Sequence, residues 1–184
     1  MASSLESRLF AIIGLIRPQI QKFQQASVKL ARHDKILFKS LVEAVKMDDA
    51  PRVQALTNDL AIIRRKEKII LRSEIAVKAI LAKVRNISEP EYKKINEVLM
   101  PAARILQIIG CQLEKTFPEM AHNVGIVREK ISALIVDVGI VTEIDAFKSA
   151  NQKADEMMTG FYQTVEQKML RELLPLPALN PISL

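Results

Sequence analysis

From Pro18 onward, the positions that face one way along a helix advance by alternating steps of three and four: Ile20, Phe23, Ser27, Leu30, Asp34, Leu37, Leu41 and Ala44. This is a heptad seam, and it predicts a long helix with one edge shaped for a partner helix. Asp48-Asp49-Ala50-Pro51 then ends that helix and starts another, because Pro suits a first helical turn and Asp accepts its free N–H groups. A second seam follows at Val53, Leu56, Leu60, Ile63, Glu67, Ile70, Glu74, Val77, Leu81 and Val84. So short a connector makes the two helices antiparallel, and residues 17–85 become a hairpin with arms of about 45–50 Å.

Each seam has two polar positions, Ser27 and Asp34 on one arm and Glu67 and Glu74 on the other. Paired about Asp49, Asp34 falls opposite Glu67 and Ser27 opposite Glu74. Two readings stay open: the polar positions fix register, or the distal hairpin is loosely packed and wet. Ala55, Ile62, Ile69 and Ala76 form a second apolar stripe on the far side of the second helix. It needs a cover, either a third helix of the same chain or a neighbouring copy in a polymer.

Beyond the hairpin, Ser88-Glu89-Pro90-Glu91 and Thr116-Phe117-Pro118-Glu119 both read as capping boxes with Pro in the first turn. They predict helices near 89–115 and 117–147, with Pro101 kinking or dividing the first. Met120, Val124, Val127, Ile131, Leu134, Val138 and Val141 give the second an apolar face. A last amphipathic helix, with Ala154, Met157, Phe161, Val165, Met169 and Leu173, runs to about Leu174. The expected fold is all-α: a long antiparallel hairpin of helices 1 and 2, shorter helices after it, and an extended Pro-rich C-terminal tail. The expected division is an amphipathic segment 1–16, a helical domain 17–174 with the hairpin at 17–85 and helices over 88–174, and a tail 175–184.

Composition fits an all-helical chain. The 184 residues are 49% hydrophobic, with five Gly and no Trp. Charge sharpens the picture. Residues 17–85 hold sixteen Lys or Arg against seven Asp or Glu, a net +9, whereas residues 86–184 hold ten against thirteen, a net −3. Lys22, Lys29, Arg32, Lys35, Lys39 and Lys46 line the back of the first helix, and Arg64, Arg65, Lys68 and Arg72 add to them from the second. A solvated face is the bland explanation. An anionic partner, membrane or nucleic acid, is the functional one.

The two ends carry their own signals. Leu5, Leu9, Ile12, Ile13 and Ile16, with Phe10 beside them, make a short apolar face that either inserts shallowly into a bilayer surface or packs on the protein's own core. The tail Leu174-Pro175-Leu176-Pro177-Ala178-Leu179-Asn180-Pro181 must be extended, and exposed Leu/Pro segments suit peptide-binding grooves. The last helix is mixed in charge and able to fold back on the basic hairpin, so that the net −3 half of the chain masks it and neutralising Glu156, Glu166 and Glu172 should favour assembly.

Catalytic signals are missing. His33 and His122 stand apart from other metal-ligand residues, and there is no glycine-rich phosphate loop or nucleophile elbow. The expectation is a non-enzymatic scaffold with no cofactor, no metal and no small-molecule substrate. The one cysteine, Cys111, is expected in the core of the third helix. It fits a reducing compartment, and with no secretory leader the chain reads as cytoplasmic. The apolar run Ile131 to Ile144 is broken by Asp137 and Glu143 and is shorter than the roughly 20 residues of a membrane span.

The order of these parts resembles a known family. A basic hairpin, then Ile95-Asn96-Glu97-Val98-Leu99-Met100-Pro101, then Phe117-Pro118-Glu119-Met120, an acidic helical half and a Pro-rich end are similar to the ESCRT-III superfamily. The likeness is to its archaeal cell-division protein B type, in a short form without the winged-helix extension. It spans nearly the whole chain and rests on pattern and order. It implies a filament former that joins copies of itself and related paralogues on anionic membranes, peripheral on the inner face of the cell membrane at the division site, in constriction or scission. It also implies an AAA+ ATPase whose MIT domain would bind Leu176, Pro177, Leu179 and Pro181. Asn180 stands where that motif usually has Pro, which puts the ATPase contact in doubt. The competing reading is a helical nucleic-acid-binding protein using the same basic hairpin. It lacks the aromatic platforms of single-strand binders.

Overall fold

The computed structural model describes residues 2–87, 92–138 and 144–176. Among them lie five helices: α1 Ala2–Lys46, α2 Ala50–Arg85, α3 Tyr92–Leu113, α4 Pro118–Asp137 and α5 Ile144–Glu172. No strand occurs among the described residues.

Helices α1 and α2 form the expected hairpin. Its tip closes as the sequence dictates. Asp48 takes a left-handed backbone conformation with φ of 55°, and Asp49 caps α2 by accepting the Arg52 N–H at 3.2 Å. In the distal seam Leu41, Ala44 and Leu60 are fully buried and Asp34 and Glu67 are buried with them, while Leu37, Val53 and Leu56 are half-buried. The polar seam positions therefore belong to a packed interface, against the wet-hairpin reading.

Residues 2–16 are not a separate segment. One continuous helix runs through Pro18, because the apolar face on either side of it is the same: Leu9, Ile12, Ile16 and Phe23 all enter the main core. The lost hydrogen bond and ring clash at proline cost about 3 kcal/mol, which burial of two or three such side chains offsets. Pro101 behaves likewise inside α3, where Leu99, Ala102, Ile105, Leu106 and Ile109 are buried around it.

Helices α3 and α4 form a second antiparallel pair at the base of the hairpin. Val124, Val127, Ile131 and Leu134 of α4 complete a core with Ile80 and Val84 of α2 and the N-terminal part of α1. An ion pair of 2.6 Å between Arg8 and Asp137 closes that corner. Helix α5 lies against α2 and α3.

Three local expectations are corrected. The cap of α4 is Phe117, with no side-chain bond, so Thr116 is not the capping hydroxyl; the Phe117 N–H bonds the Leu113 carbonyl at 2.7 Å, which ties the turn to α3 instead. Helix α4 ends at Asp137, and Ile144 to Phe147 open α5 rather than close α4. Cys111 is exposed, because it sits off the Ile105, Ile109, Leu113 face of its helix. The start at 88–91 and Val141 lie outside the described residues.

Candidate interaction surfaces

The basic residues divide into two groups with different surroundings. On α1, Lys29, Arg32, Lys35, Lys39 and Lys46 are all exposed, and none has an ion-pair partner among the described residues. Lys22 is half-buried and stands 3.8 Å from Glu119, at the outer limit of a surface pair. This face remains open with α5 in place.

On α2 the cations are occupied. Arg64 donates from Nε to Asp34 Oδ2 at 2.7 Å and from Nη2 to Oδ1 at 3.3 Å, and its Nη1 reaches the Leu174 carbonyl at 2.8 Å. Lys68 and Arg72 both meet Glu166 of α5, at 2.6 and 3.5 Å. Arg72 also lies 4.3 Å above the Tyr162 ring, whose hydroxyl accepts from Gln112 of α3 at 2.6 Å. Among the α2 residues expected to bind anions, Arg65 alone is exposed and free of an ion pair in the described set. The masking expected from charge thus covers α2 and leaves α1 bare.

Only one of the three masking carboxylates closes this surface. Glu166 makes both cross-helix pairs, and its pKa is lowered by the hydrogen bond from Lys68. Glu156 instead accepts from Gln152 of its own helix at 3.0 Å. Glu172 faces Glu67, whose carboxyl is pushed above the usual range by burial first, then by Asp34 and Glu172, with Arg64 and Lys168 opposing. Glu67 Oε2 is buried without a hydrogen-bond partner. Two buried carboxylates sharing one arginine give the seam its polar register point.

The second apolar stripe on α2 is split. Ala55 and Ile62 are exposed, Ile69 packs against the main core, and Ala76 is fully buried. The chain's own helices cover the base of the stripe, and its distal half stays open. At the N-terminus, Leu9, Ile12 and Ile16 are core residues and Leu5 and Ile13 pack against them, whereas Phe10 is 76% exposed. Of the expected insertion set, Phe10 alone is presented to solvent. In the tail, Leu176 is half-buried, while Pro177, Leu179 and Pro181 lie outside the described residues.

The polar knot of Gln112, Tyr162, Arg72 and Glu166 escaped the sequence reading. Its only trace there is the four-residue spacing of Tyr162 and Glu166, and of Lys68 and Arg72, which puts each pair on one helix face. An open groove of about 610 Å³ between α3, α4 and the start of α5 is lined by Met100, Arg104, Arg128, Val136 and Phe147 among others. Among the described residues no group of His, Cys, Asp and Glu is placed to hold a metal ion, and no helix is long and apolar enough to cross a membrane.

Two curated proteins of Sulfolobus acidocaldarius are similar to this chain. Cell division protein B1 is 22% identical over 175 residues, which cover 95% of this chain and 81% of that protein. Cell division protein B is 24% identical over 161 residues, 87% of this chain and 60% of the relative. No family model and no solved structure matches.

Proposed function

We propose that this chain, similar over most of its length to two archaeal cell division proteins, is of the cell-division protein B type of the ESCRT-III superfamily, a filament-forming protein that remodels anionic membranes in archaeal cell division. The observation that carries this reading is the division of charge. A row of five unpaired cations on α1 faces outward, while Lys68 and Arg72 of α2 are held by Glu166 of α5.

In this reading the molecule has two working faces. The outer face of α1 meets lipid headgroups, where each Lys or Arg near the surface contributes about 1 kcal/mol. One copy therefore binds modestly and an assembly binds through many linked contacts. The face of α2 meets other copies, through Ala55 and Ile62 as they stand and through Ile69 and the freed cations once α5 lifts. Leu176 and the residues after it are the segment an AAA+ ATPase would grip through its MIT domain. Work at the division site, on the inner face of the cell membrane and alongside paralogues, completes the proposal.

Sedimentation with anionic and neutral vesicles, followed by electron microscopy, tests it. Binding to anionic vesicles that falls at high salt, with filaments or coated tubes, is the expected result. Equal binding to neutral vesicles would remove the charge mechanism, and persistently monomeric particles on anionic vesicles would remove the filament. A gel-shift series at matched salt tests whether nucleic acid competes as the partner.

A further inference from the structure

Seven exposed residues of α1 fall along one line of the helix. An α-helix repeats its direction every eighteen residues, about five turns of 3.6. Phe10, Val28 and Lys46 are spaced by that interval, as are Arg17 and Lys35, and Gln21 and Lys39. All seven are exposed, and Arg32 lies within one turn of Val28. The line is about 54 Å long from Phe10 to Lys46. Between Ser7 and Val42 the only carboxylate of α1 is Asp34, and it is buried against Arg64. As far as Lys39 the ridge therefore meets no exposed carboxylate, Glu43 being exposed between Lys39 and Lys46, and it carries two large apolar side chains in the open, Phe10 at 76% and Val28 at 58% exposure.

The other side of the hairpin is where α5 lies. It packs on α2 and α3, and its ion pairs go to Lys68 and Arg72 of α2. The ridge points away from the α1–α2 seam and hence away from α5.

We propose that this ridge, Phe10, Arg17, Val28, Arg32, Lys35, Lys39 and Lys46, is the bilayer contact of the closed molecule, with Phe10 and Val28 as shallow apolar wedges, so that membrane docking precedes release of α5. This rests on the membrane reading above and adds its contact line and its order of events. Cations interleaved with an aromatic and a branched aliphatic side chain fit an interface of headgroups over acyl chains. A phosphate backbone would use the cations and leave both apolar groups in water. Docking on this side also leaves α2 and α5 facing away from the bilayer. Release then occurs where a neighbouring copy has access.

The test uses the full chain with α5 tethered. Lys68→Cys and Glu166→Cys in a Cys111→Ser background, joined by a short bis-thiol reagent, hold the closed form; circular dichroism checks that it remains helical. The chain has no tryptophan, so Phe10→Trp, Val28→Trp and, as an off-ridge reporter, Leu170→Trp on α5 each give a single fluorophore. Leu170 is 81% exposed, so its replacement leaves packing intact. The tethered protein is expected to float with anionic vesicles as the untethered one does. Tryptophan at 10 and 28 should shift to the blue and be quenched by brominated lipid, tryptophan at 170 should not, and Arg32→Glu with Lys39→Glu should weaken binding by more than about tenfold. If only the untethered protein floats, docking waits for release and the proposal fails while the membrane reading stands. Quenching at 170 equal to that at 10 overturns the ridge. If neither form floats, or duplex DNA is bound in preference at the same salt, the membrane reading falls and the ridge with it.

Discussion

Replacing Arg64 by Met should unfold the hairpin more easily than any other single change to a charged residue. Arg64 and Asp34 form a bidentate pair at 2.7 and 3.3 Å in the seam, and Asp34 is only 5% exposed. Glu67, 6% exposed, has its carboxyl pushed up by burial first and then by the neighbouring Asp34. Met keeps the apolar stem and removes the one cation these carboxylates share. Breaking one side of a buried pair costs about 3–5 kcal/mol, because the remaining charge is buried without compensation. Loss of the bond to the exposed Leu174 carbonyl adds about 0.5–1.5 kcal/mol. With a urea m-value of about 1–3 kcal/mol per molar, the unfolding midpoint should fall by more than about 1 M. Asp34→Leu with Arg64→Met removes both charges and should restore stability to within about 1 kcal/mol of the parent, as apolar replacements of buried pairs do. Urea titrations followed by circular dichroism read all three proteins. A loss below about 1 kcal/mol in Arg64→Met would show that the pair acts as a hydrated surface bridge, and an equal loss in the double variant would place its cost in packing.

Glu67→Gln should change the pH dependence of stability with a defined sign. The folded-state pKa of Glu67 is raised, mainly by burial, so its protonated form contributes stability that is present below the ordinary Glu value and lost as pH rises through the raised one. Gln keeps the neutral form throughout; thermal melts should be flatter across that interval and higher at neutral pH, and superimposable curves would refute the linkage. Glu166→Gln should speed hydrogen exchange across α5, while Glu156→Gln leaves it unchanged and Glu172→Gln slows it by removing a repulsion from Glu67; equal effects from all three would mean that bulk charge, not these contacts, holds α5. Ile62→Asp should abolish filaments with helicity intact, since the residue is 46% exposed, whereas Ala76→Asp should unfold the base of the hairpin, where Ala76 is fully buried. Filaments that survive Ile62→Asp would put the contact elsewhere.

The hairpin was readable because its evidence is local and periodic: two seams, a Pro-marked turn, and polar positions whose pairing follows from counting back from Asp49. The ends of α3 and α5 were harder, since a capping pattern states where a helix can start and not which residue wins. Phe117 took the α4 cap from Thr116 because the chain turns there on the Leu113 carbonyl. The fate of the N-terminal apolar face could not be read at all. Leu9, Ile12 and Ile16 suit a bilayer and a protein core equally well, and only α4 beside them decides it. Charge had the same weakness. The sequence placed ten cations on two helices as one group, yet most of those on α1 stay open and most of those on α2 are paired, because that depends on which helix α5 covers.

The grip on α5 is uneven along its length. Ala154 and Met158 belong to the main core, so the first half of the helix cannot lift without opening that core to water. Val165 and Met169 belong instead to a small separate cluster with Leu71, flanked by Ile75 and Leu173. The ionic contacts of this half are the solvent-screened Lys68 and Arg72 pairs with Glu166, together with the Arg64 bond to Leu174. Tyr162, under Arg72 and bonded to Gln112, marks the border between the halves. A pull on the residues after Leu174 therefore meets its weakest resistance first. Peeling as far as Tyr162 frees Lys68 and Arg72 of α2, leaves Arg64 on Asp34 without its Leu174 bond, and bares Leu71 and Ile75, while α1, α3, α4 and the first half of α5 keep their packing. The same local step also relieves Glu67 of Glu172, so it removes a buried repulsion as it breaks two surface pairs. Such a step leaves the rest of the domain folded, with the outer face of α1 in place.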